Sequence, residues 1–185
     1  THLEMQMQVM FSGMLNKQTL LDLIRQFIVF EKSDTKTFKK VAAYHQYYAV
    51  NKAVESTVKA SSHEGDKRGG VIWHTQGSGK SYSMVFLAQK IRRKFQGSPT
   101  FVILTDRDEL NKQISDTFEA CGCLGPTKAQ QYIAASGEDL IQKLKGNPSF
   151  IFTLIHKFNK ADEPPITPEH DIIILSDEAH RTQNG

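Results

Sequence analysis

The sequence contains 185 residues, and its 23 lysines and arginines against 20 aspartates and glutamates give a formal charge of +3. This length suits one domain of ordinary size with a buried core, and the small basic excess suits a polyanionic partner without requiring one. The apolar runs are far shorter than the roughly 20 residues of a membrane-spanning helix, so we expect a cytoplasmic protein with no membrane partner.

Residues 1–40 are predicted to form an N-terminal helical arm with a connector, ahead of a main domain at residues 41–185. Apolar residues at helical spacing predict a helix from about residue 16 to about residue 31; they are Leu20, Leu21, Ile24, Phe27 and Ile28. The charged stretch EKSDTKTFKK that follows predicts a solvated connector. We expect the arm to pack on the domain or on a neighbour outside this chain.

The main domain begins with another helical pattern and then alternates strands with helices. The first pattern spaces its apolar residues by three, four and four, at Tyr47, Val50, Val54 and Val58. Wholly apolar runs, typical of strands buried on both faces of a parallel sheet, are VIW at 71, FVIL at 101, FIF at 150 and IIIL at 172. Helical patterns separate them, with apolar residues over 84–95, 110–118 and 140–144. The sequence therefore predicts an α/β domain with a parallel sheet flanked by helices.

The two cysteines, Cys121 and Cys123, are too few for a disulfide framework. They are either reduced structural thiols or part of a zinc site that His74 or His180 would complete. We favour the thiols, because zinc needs more ligands than this pair supplies.

The stretch HTQGSGKS, from His74 to Ser81, lies between the predicted strand VIW and a helix that starts near Lys80. Backbone N–H groups of a glycine-containing turn at a helix N-terminus form a concave site for phosphate groups. Lys80 is predicted to reach the β- and γ-phosphates, and the Ser81 hydroxyl to bind Mg²⁺. The other candidate nucleotide contacts are Thr75, Gln76, Gly77, Ser78, Gly79 and Tyr82. The alternative is a solvent-exposed turn capped by Ser81.

Two carboxylates follow the last predicted strand, in IIILSDEAHR. The carboxyl ends of parallel strands meet at one edge of a sheet, so Asp177 is expected near Ser81, as a second Mg²⁺ ligand. Glu178 is the candidate base that orients the attacking water. Either acid is alternatively a surface N-cap. His180 either couples the nucleotide to a neighbouring domain or faces solvent.

GSGKS followed by DEAH resembles superfamily 2 helicases and translocases, whose motor is a pair of RecA-like domains with ATP between them. The longer strings VIWHTQGSGKSYSM, FVILTDRDELNKQI, FIFTLIHKF and IIILSDEAHRTQ resemble more narrowly the restriction and translocation subunit of type I restriction enzymes. The resemblance is strong over 41–185 and looser over 14–31. It implies a partial RecA-like phosphate-loop domain with ATP and Mg²⁺ bound. The implied partners are duplex DNA and the methylation and specificity subunits.

The resemblance also assigns residues. Gln46 matches a glutamine that reads the edge of adenine, and its alternative is a surface helix glutamine. Thr105, Arg107 and Thr153 match motifs that contact the DNA backbone, although pairing of Arg107 with an acid is an equal alternative. The basic cluster KIRRK at 90–94 suits a helix C-terminus better than a nucleic-acid contact.

The leading hypothesis is an ATP hydrolase that translocates duplex DNA. The chain reaches Gly185 soon after DEAH, so the resemblance implies a fragment without the second motor domain, its arginine finger and the nuclease domain. Such a fragment is expected to bind Mg·ATP weakly and hydrolyse it poorly. The alternatives are an RNA helicase, a chromatin-remodelling ATPase, or a nucleotide-binding interaction module that does not hydrolyse.

Overall fold

The computed structural model describes residues 2–95, 97–158 and 171–177, without the side chain of His2. The helices in these ranges are α1 (His2–Ser12), α2 (Lys17–Gln26), α3 (Tyr44–Ser61), α4 (Lys80–Lys94), α5 (Asp108–Ala120) and α6 (Gly137–Lys145), with short 3-10 turns at Ala129–Tyr132 and Ile155–Phe158. The strands are β1 (Ile28–Lys32), β2 (Thr37–Val41), β3 (Thr100–Thr105), β4 (Phe150–Leu154) and β5 (Ile172–Ser176).

A parallel sheet with the order β4-β3-β5 forms the centre of the fold. Successive side chains of a strand point to opposite faces, and β3 buries both sets. Phe101 and Ile103 join one core with α2, α3, α4 and α5, whereas Val102 joins a second core with α6. The predicted parallel sheet flanked by helices is therefore confirmed. Together with the N-terminal helices, this is the expected partial RecA-like α/β arrangement.

The predicted helix over 16–31 is wrong beyond Gln26. The stretch after it is mostly solvent-exposed, as expected for a solvated connector, but it forms a hairpin. α2 ends at Gln26, and β1 pairs with β2 in an antiparallel hairpin that turns where the Ser33 N–H donates to the Lys36 carbonyl. Val29 is buried and Phe30 is exposed, which is the two-residue period of a strand. The apolar spacing over these few residues fits both a helix and a strand, and pairing with β2 makes the segment a strand.

The run VIW at 71–73 was predicted as a strand, and the structure gives it no strand hydrogen bonds. Val71 and Trp73 are 88% and 83% exposed. An apolar run shows that residues tolerate burial, but a strand also needs a neighbouring edge to pair with. Within the described residues, neither outer strand of the sheet, β4 or β5, pairs with this run.

The arm packs on the domain through α2, which is the first of the two expected alternatives. Leu23 and Phe27 lie in the main core, together with residues of α4. By contrast, α1 keeps its large apolar side chains at the surface. No described helix is both long and apolar enough to cross a membrane. The division of the chain between residues 40 and 41 stays a prediction. In the structure, residues of α2 and β1 share a core with residues of the sheet.

Candidate nucleotide site

The phosphate-loop candidate leads directly into α4, which begins at Lys80. Gly77 and Gly79 have φ angles of 77° and 79°, in the left-handed region that glycine adopts readily. The Ser78 N–H donates to the Thr75 carbonyl at 3.3 Å, and the Ser83 N–H donates to the Gly79 carbonyl at 3.1 Å. The first N–H groups of a helix have no partner inside it, so they are available to an anion held in this loop.

Gln46, near the start of α3, is bound to the loop. Its Nε2 donates to the Gly79 carbonyl at 2.9 Å, and its Oε1 accepts from the Ala43 N–H at 2.9 Å. The residue is only 7% exposed, so the alternative of a surface glutamine is wrong. A primary amide has two N–H donors and two lone pairs. These two hydrogen bonds therefore leave one donor and one acceptor position of the Gln46 amide unused.

Two histidines lie beside the loop. His45 Nε2 is 3.1 Å from the Ser78 carbonyl, and the His45 and His74 rings meet edge to face with centroids 5.1 Å apart. Burial, followed by the nearby His45 and Lys80, lowers the pKa of His74 below its ordinary value. His74 Nδ1 and Ser78 Oγ are buried without a hydrogen-bond partner in the described structure. Sequence reasoning missed His45, whose only signal was its place beside Gln46.

Tyr82, predicted to contact nucleotide, has its hydroxyl directed to the hairpin. The Tyr82 hydroxyl donates to Glu31 at 2.6 Å, and Lys40 lies both 3.3 Å from Glu31 and over the Tyr82 ring. Burial and the hydrogen bond to Glu31 raise the pKa of Tyr82. The same hydrogen bond is the main reason that the pKa of Glu31 is lowered. Tyr82 therefore joins the loop helix to the hairpin.

The carboxyl ends of the three parallel strands lie at one edge of the sheet. Leu104 of β3 is in register with Thr153 of β4 and Ser176 of β5, and the Asp177 N–H donates to the Leu104 carbonyl at 2.9 Å. Asp177 therefore follows β5 at the edge where β3 and β4 also end. Glu178 and His180 lie outside the described residues.

The candidate DNA contacts at this edge differ in exposure. Thr105 and Thr153 are 1% and 0% exposed, and the Thr105 hydroxyl donates to the Arg107 carbonyl at 3.3 Å. Arg107 has a 60% exposed side chain, with Nε 3.5 Å from the Asp106 carboxylate. Only Arg107 of the three predicted contacts presents its side chain to solvent.

The basic cluster near the end of α4 is engaged with the arm. Lys90 Nζ contacts both carboxylate oxygens of Asp22 and the Asn51 side-chain oxygen. Arg93 donates to the Arg25 carbonyl at 2.6 Å and to the Gln26 side chain at 2.8 Å. These contacts hold α2 and α3 against α4.

The cysteines are free thiols within the described structure. Burial raises the pKa of Cys121 to about 12 and also raises the pKa of Cys123. The described residues contain no group of three or more His, Cys, Asp or Glu side chains placed to hold a metal ion.

Comparison with known proteins gives consistent matches. A family model for the SWI2/SNF2 ATPase matches residues 45–185. The chain is 44% identical to the type I restriction enzyme HindI endonuclease subunit of Haemophilus influenzae, over 97% of this chain and 18% of the relative. It is 34% identical to the putative type I restriction enzyme MjaIXP endonuclease subunit of Methanocaldococcus jannaschii, over 97% of this chain and 17% of the relative. The chain thus spans under a fifth of the length of these two relatives.

Proposed function

The chain belongs to the SWI2/SNF2 ATPase family, and we propose that it is the ATP-binding part of the motor subunit of a type I restriction enzyme. In this proposal ATP hydrolysis moves duplex DNA past the motor, inside the cytoplasm. The methylation and specificity subunits are the proposed partners in the complex. The similarity to two type I restriction endonuclease subunits across 97% of the chain supports this assignment over other members of the family.

The observation that carries the ATP proposal is the loop at the start of α4. Its two left-handed glycines lead into a helix N-terminus, whose first N–H groups have no partner inside the helix, and Lys80 is the first residue of that helix. A polyphosphate is the anion that this combination of donors and a mobile positive charge fits best. The loop is open at Gly77, where an added Cβ has nothing within 4 Å.

The residues proposed for ATP hydrolysis have separate roles. Lys80 binds the β- and γ-phosphates, while Ser81 and Asp177 supply the oxygen ligands that Mg²⁺ prefers. Glu178 orients the attacking water and accepts its proton. When bound, Mg²⁺ contributes positive charge beside the phosphates. Gln46 holds the loop through Gly79 and pairs with the adenine edge through its remaining amide positions.

DNA contact is proposed for Arg107, which lies beyond β3 and is exposed. A guanidinium at this position binds backbone phosphate without reading sequence. Thr105 and Thr153 are proposed to support this surface from inside the sheet, and a direct phosphate contact by either requires the strand ends to open.

The nucleotide proposal is tested by calorimetric titration of the 185-residue chain with Mg·ATP. Lys80→Ala is expected to weaken binding by about tenfold or more, because a charge-assisted contact with phosphate is lost. Lys94→Ala is the matched control, since Lys94 is exposed at the other end of the same helix. Equal affinities of the unaltered chain and Lys80→Ala would contradict the proposed phosphate contact.

The motor proposal needs the whole protein. Duplex DNA is expected to stimulate its ATPase activity, and Glu178→Gln is expected to leave ATP bound but not hydrolysed. The family description also supports a second candidate, a chromatin-remodelling type of ATPase outside a restriction complex. Purification of the whole protein with bound methylation and specificity subunits would favour the restriction motor. Stimulation by single-stranded RNA and not by duplex DNA would contradict both candidates.

A further inference from the structure

His74 stands out because its ring is placed in the loop with one nitrogen unused. Nδ1 is buried and has no partner within the described structure, and the same holds for the Ser78 hydroxyl in the same loop. Burying a polar atom without a hydrogen bond costs free energy, so such atoms in a folded protein call for an explanation. Of the five such side-chain atoms among the described residues, these two lie in the same loop, and a polar ligand bound there would supply their missing partner.

The titratable groups around His74 indicate the charge of that ligand. Among the described residues, the titratable groups acting on its ring are His45 from α3 and Lys80 from the start of α4. Both oppose a positive charge on His74, as does burial. Burial and these two neighbours therefore favour the neutral imidazole when the loop is empty. A bound polyphosphate would bring several negative charges close to Lys80 and His74. These charges would favour the protonated imidazole of His74.

We propose that His74 is a further phosphate contact, and that it binds nucleotide as the imidazolium, so that nucleotide binding takes up one proton from solution. This inference rests on the proposed nucleotide site. The proton enters on a ring nitrogen of His74, and the resulting N–H donates to a phosphate oxygen. His45 is a positioning residue, because its Nε2 contact with the Ser78 carbonyl and its edge-to-face contact with His74 fix the ring beside the loop.

The pH dependence follows from the direction of the shift. The pKa of His74 is low in the empty loop and higher with nucleotide bound, so the bound form holds more protons between the two values. Nucleotide affinity must then rise as the pH falls through the bound-state pKa, and level off below the empty-state pKa. Each unit by which nucleotide raises the pKa corresponds to a tenfold gain in affinity at low pH.

The test combines calorimetry with NMR on the 185-residue chain. Mg·ATP is titrated at about pH 8 and about pH 6, in pairs of buffers with different ionisation enthalpies. The general phosphate-loop pattern has a glycine five residues before the glycine that precedes its lysine, which is the position of His74 here. His74→Gly therefore restores that pattern and removes the imidazole. His63→Gln is the control, since His63 is an exposed loop histidine. Protonation of the γ-phosphate itself is common to all three proteins.

On binding Mg·ATP, the unaltered chain and His63→Gln are expected to take up one proton more than His74→Gly. From about pH 8 to about pH 6, their affinity for Mg·ATP is expected to rise on the order of tenfold more than that of His74→Gly. Nucleotide binding with equal proton uptake in all three proteins would overturn the inference and leave the nucleotide site intact. Absence of Mg·ATP binding at every pH would overturn both.

NMR titration of the His74 ring provides the second readout, with His74→Gly identifying its signals. In the empty chain the pKa is expected below the ordinary imidazole value, and His45→Ala is expected to raise it by removing a neighbouring group that lowers it. His45→Ala is also expected to weaken Mg·ATP binding, and His45→Gln, which retains a side-chain donor, to restore part of it. A raised pKa of His74 in the empty chain would indicate a carboxylate partner and would overturn the inference.

Discussion

Removal of the Lys90 ammonium tests the packing of the N-terminal arm on the ATPase domain. Lys90 Nζ lies 2.6 Å and 2.7 Å from the two carboxylate oxygens of Asp22 and 2.6 Å from Asn51 Oδ1. It also lies 4.8 Å from the centre of the Phe27 ring. One charge from α4 therefore satisfies groups of both α2 and α3. Lys90→Met keeps most of the apolar stem and removes only the charge.

The expected loss of stability can be worked from burial. The Lys90 and Asp22 side chains are 11% and 27% exposed, so the pair is mostly but not fully withdrawn from water. Breaking a fully buried pair costs about 3–5 kcal/mol, largely because the remaining charge is left uncompensated. Water can reach part of the Asp22 carboxylate, which lowers this to about 2–3 kcal/mol, and the lost contact with the Phe27 ring adds about 0.5–1 kcal/mol.

Urea and thermal unfolding of the 185-residue chain measure this difference. We expect Lys90→Met to unfold about 3 kcal/mol more easily, with a melting temperature lower by roughly 6–12 °C for a chain of this size. Lys94→Met is the control on the same helix, because Lys94 is exposed, and it should change stability by less than about 0.5 kcal/mol. The double variant with Asp22→Leu should recover part of the loss, since no charge is then left unpaired. A Lys90→Met variant as stable as its control would refute the reasoning.

Three further predictions concern the loop, the hairpin and the thiols. Gly79→Ala should weaken Mg·ATP binding more than Gly77→Ala in calorimetry. Both positions have positive φ, but only at Gly79 does an added Cβ come within 2.8 Å of the Gln46 amide, which holds the loop. Equal losses of affinity would mean that backbone strain alone matters. Tyr82→Phe should reduce the acid sensitivity of urea unfolding. The lowered pKa of Glu31 gives stability that is present above its ordinary value of 4.5 and lost as the pH falls through the folded-state value, and the Tyr82 hydroxyl is the main cause of that shift; an unchanged acid dependence would contradict this. Cys121, whose pKa is raised to about 12, should resist a thiol reagent at about pH 8 until urea unfolds the chain; rapid labelling of the native protein at Cys121 would show that its thiol is accessible as the thiolate.

The central sheet was predictable because the apolar composition of each strand indicates a buried strand without reference to its partners. FVIL, FIF and IIIL are apolar at every position, and the structure buries β3 and β4 on both faces. The helices between them were equally readable, since apolar residues such as Ile114 and Phe118 recur at helical spacing and pack on the sheet. In these segments the local pattern and the tertiary contacts favour the same structure.

The hairpin and the VIW segment were not predictable in this way, because their structure depends on partners distant from the local pattern. Ile28 continues the helical spacing of α2, but it lies in β1 and pairs with Val41 of β2. VIW has the composition of a strand without a strand partner in the described structure. The same limit applies to the site. The glycines and Lys80 are visible as a motif, whereas the hydrogen bond from Gln46 to Gly79 joins residues 33 positions apart and leaves no pattern in the sequence.

These long-range contacts give α4 a role beyond carrying the phosphate loop. Its N-terminus holds Lys80, its first turn binds the hairpin through Tyr82, and Lys90 binds the arm. A helix rises about 1.5 Å per residue, so Lys80 and Lys90 are separated by about 15 Å of hydrogen-bonded backbone. A helix of this length moves largely as one body. A force that shifts α2 is therefore expected to reach the loop of the proposed nucleotide site, unless the contacts of Lys90 or Tyr82 give way.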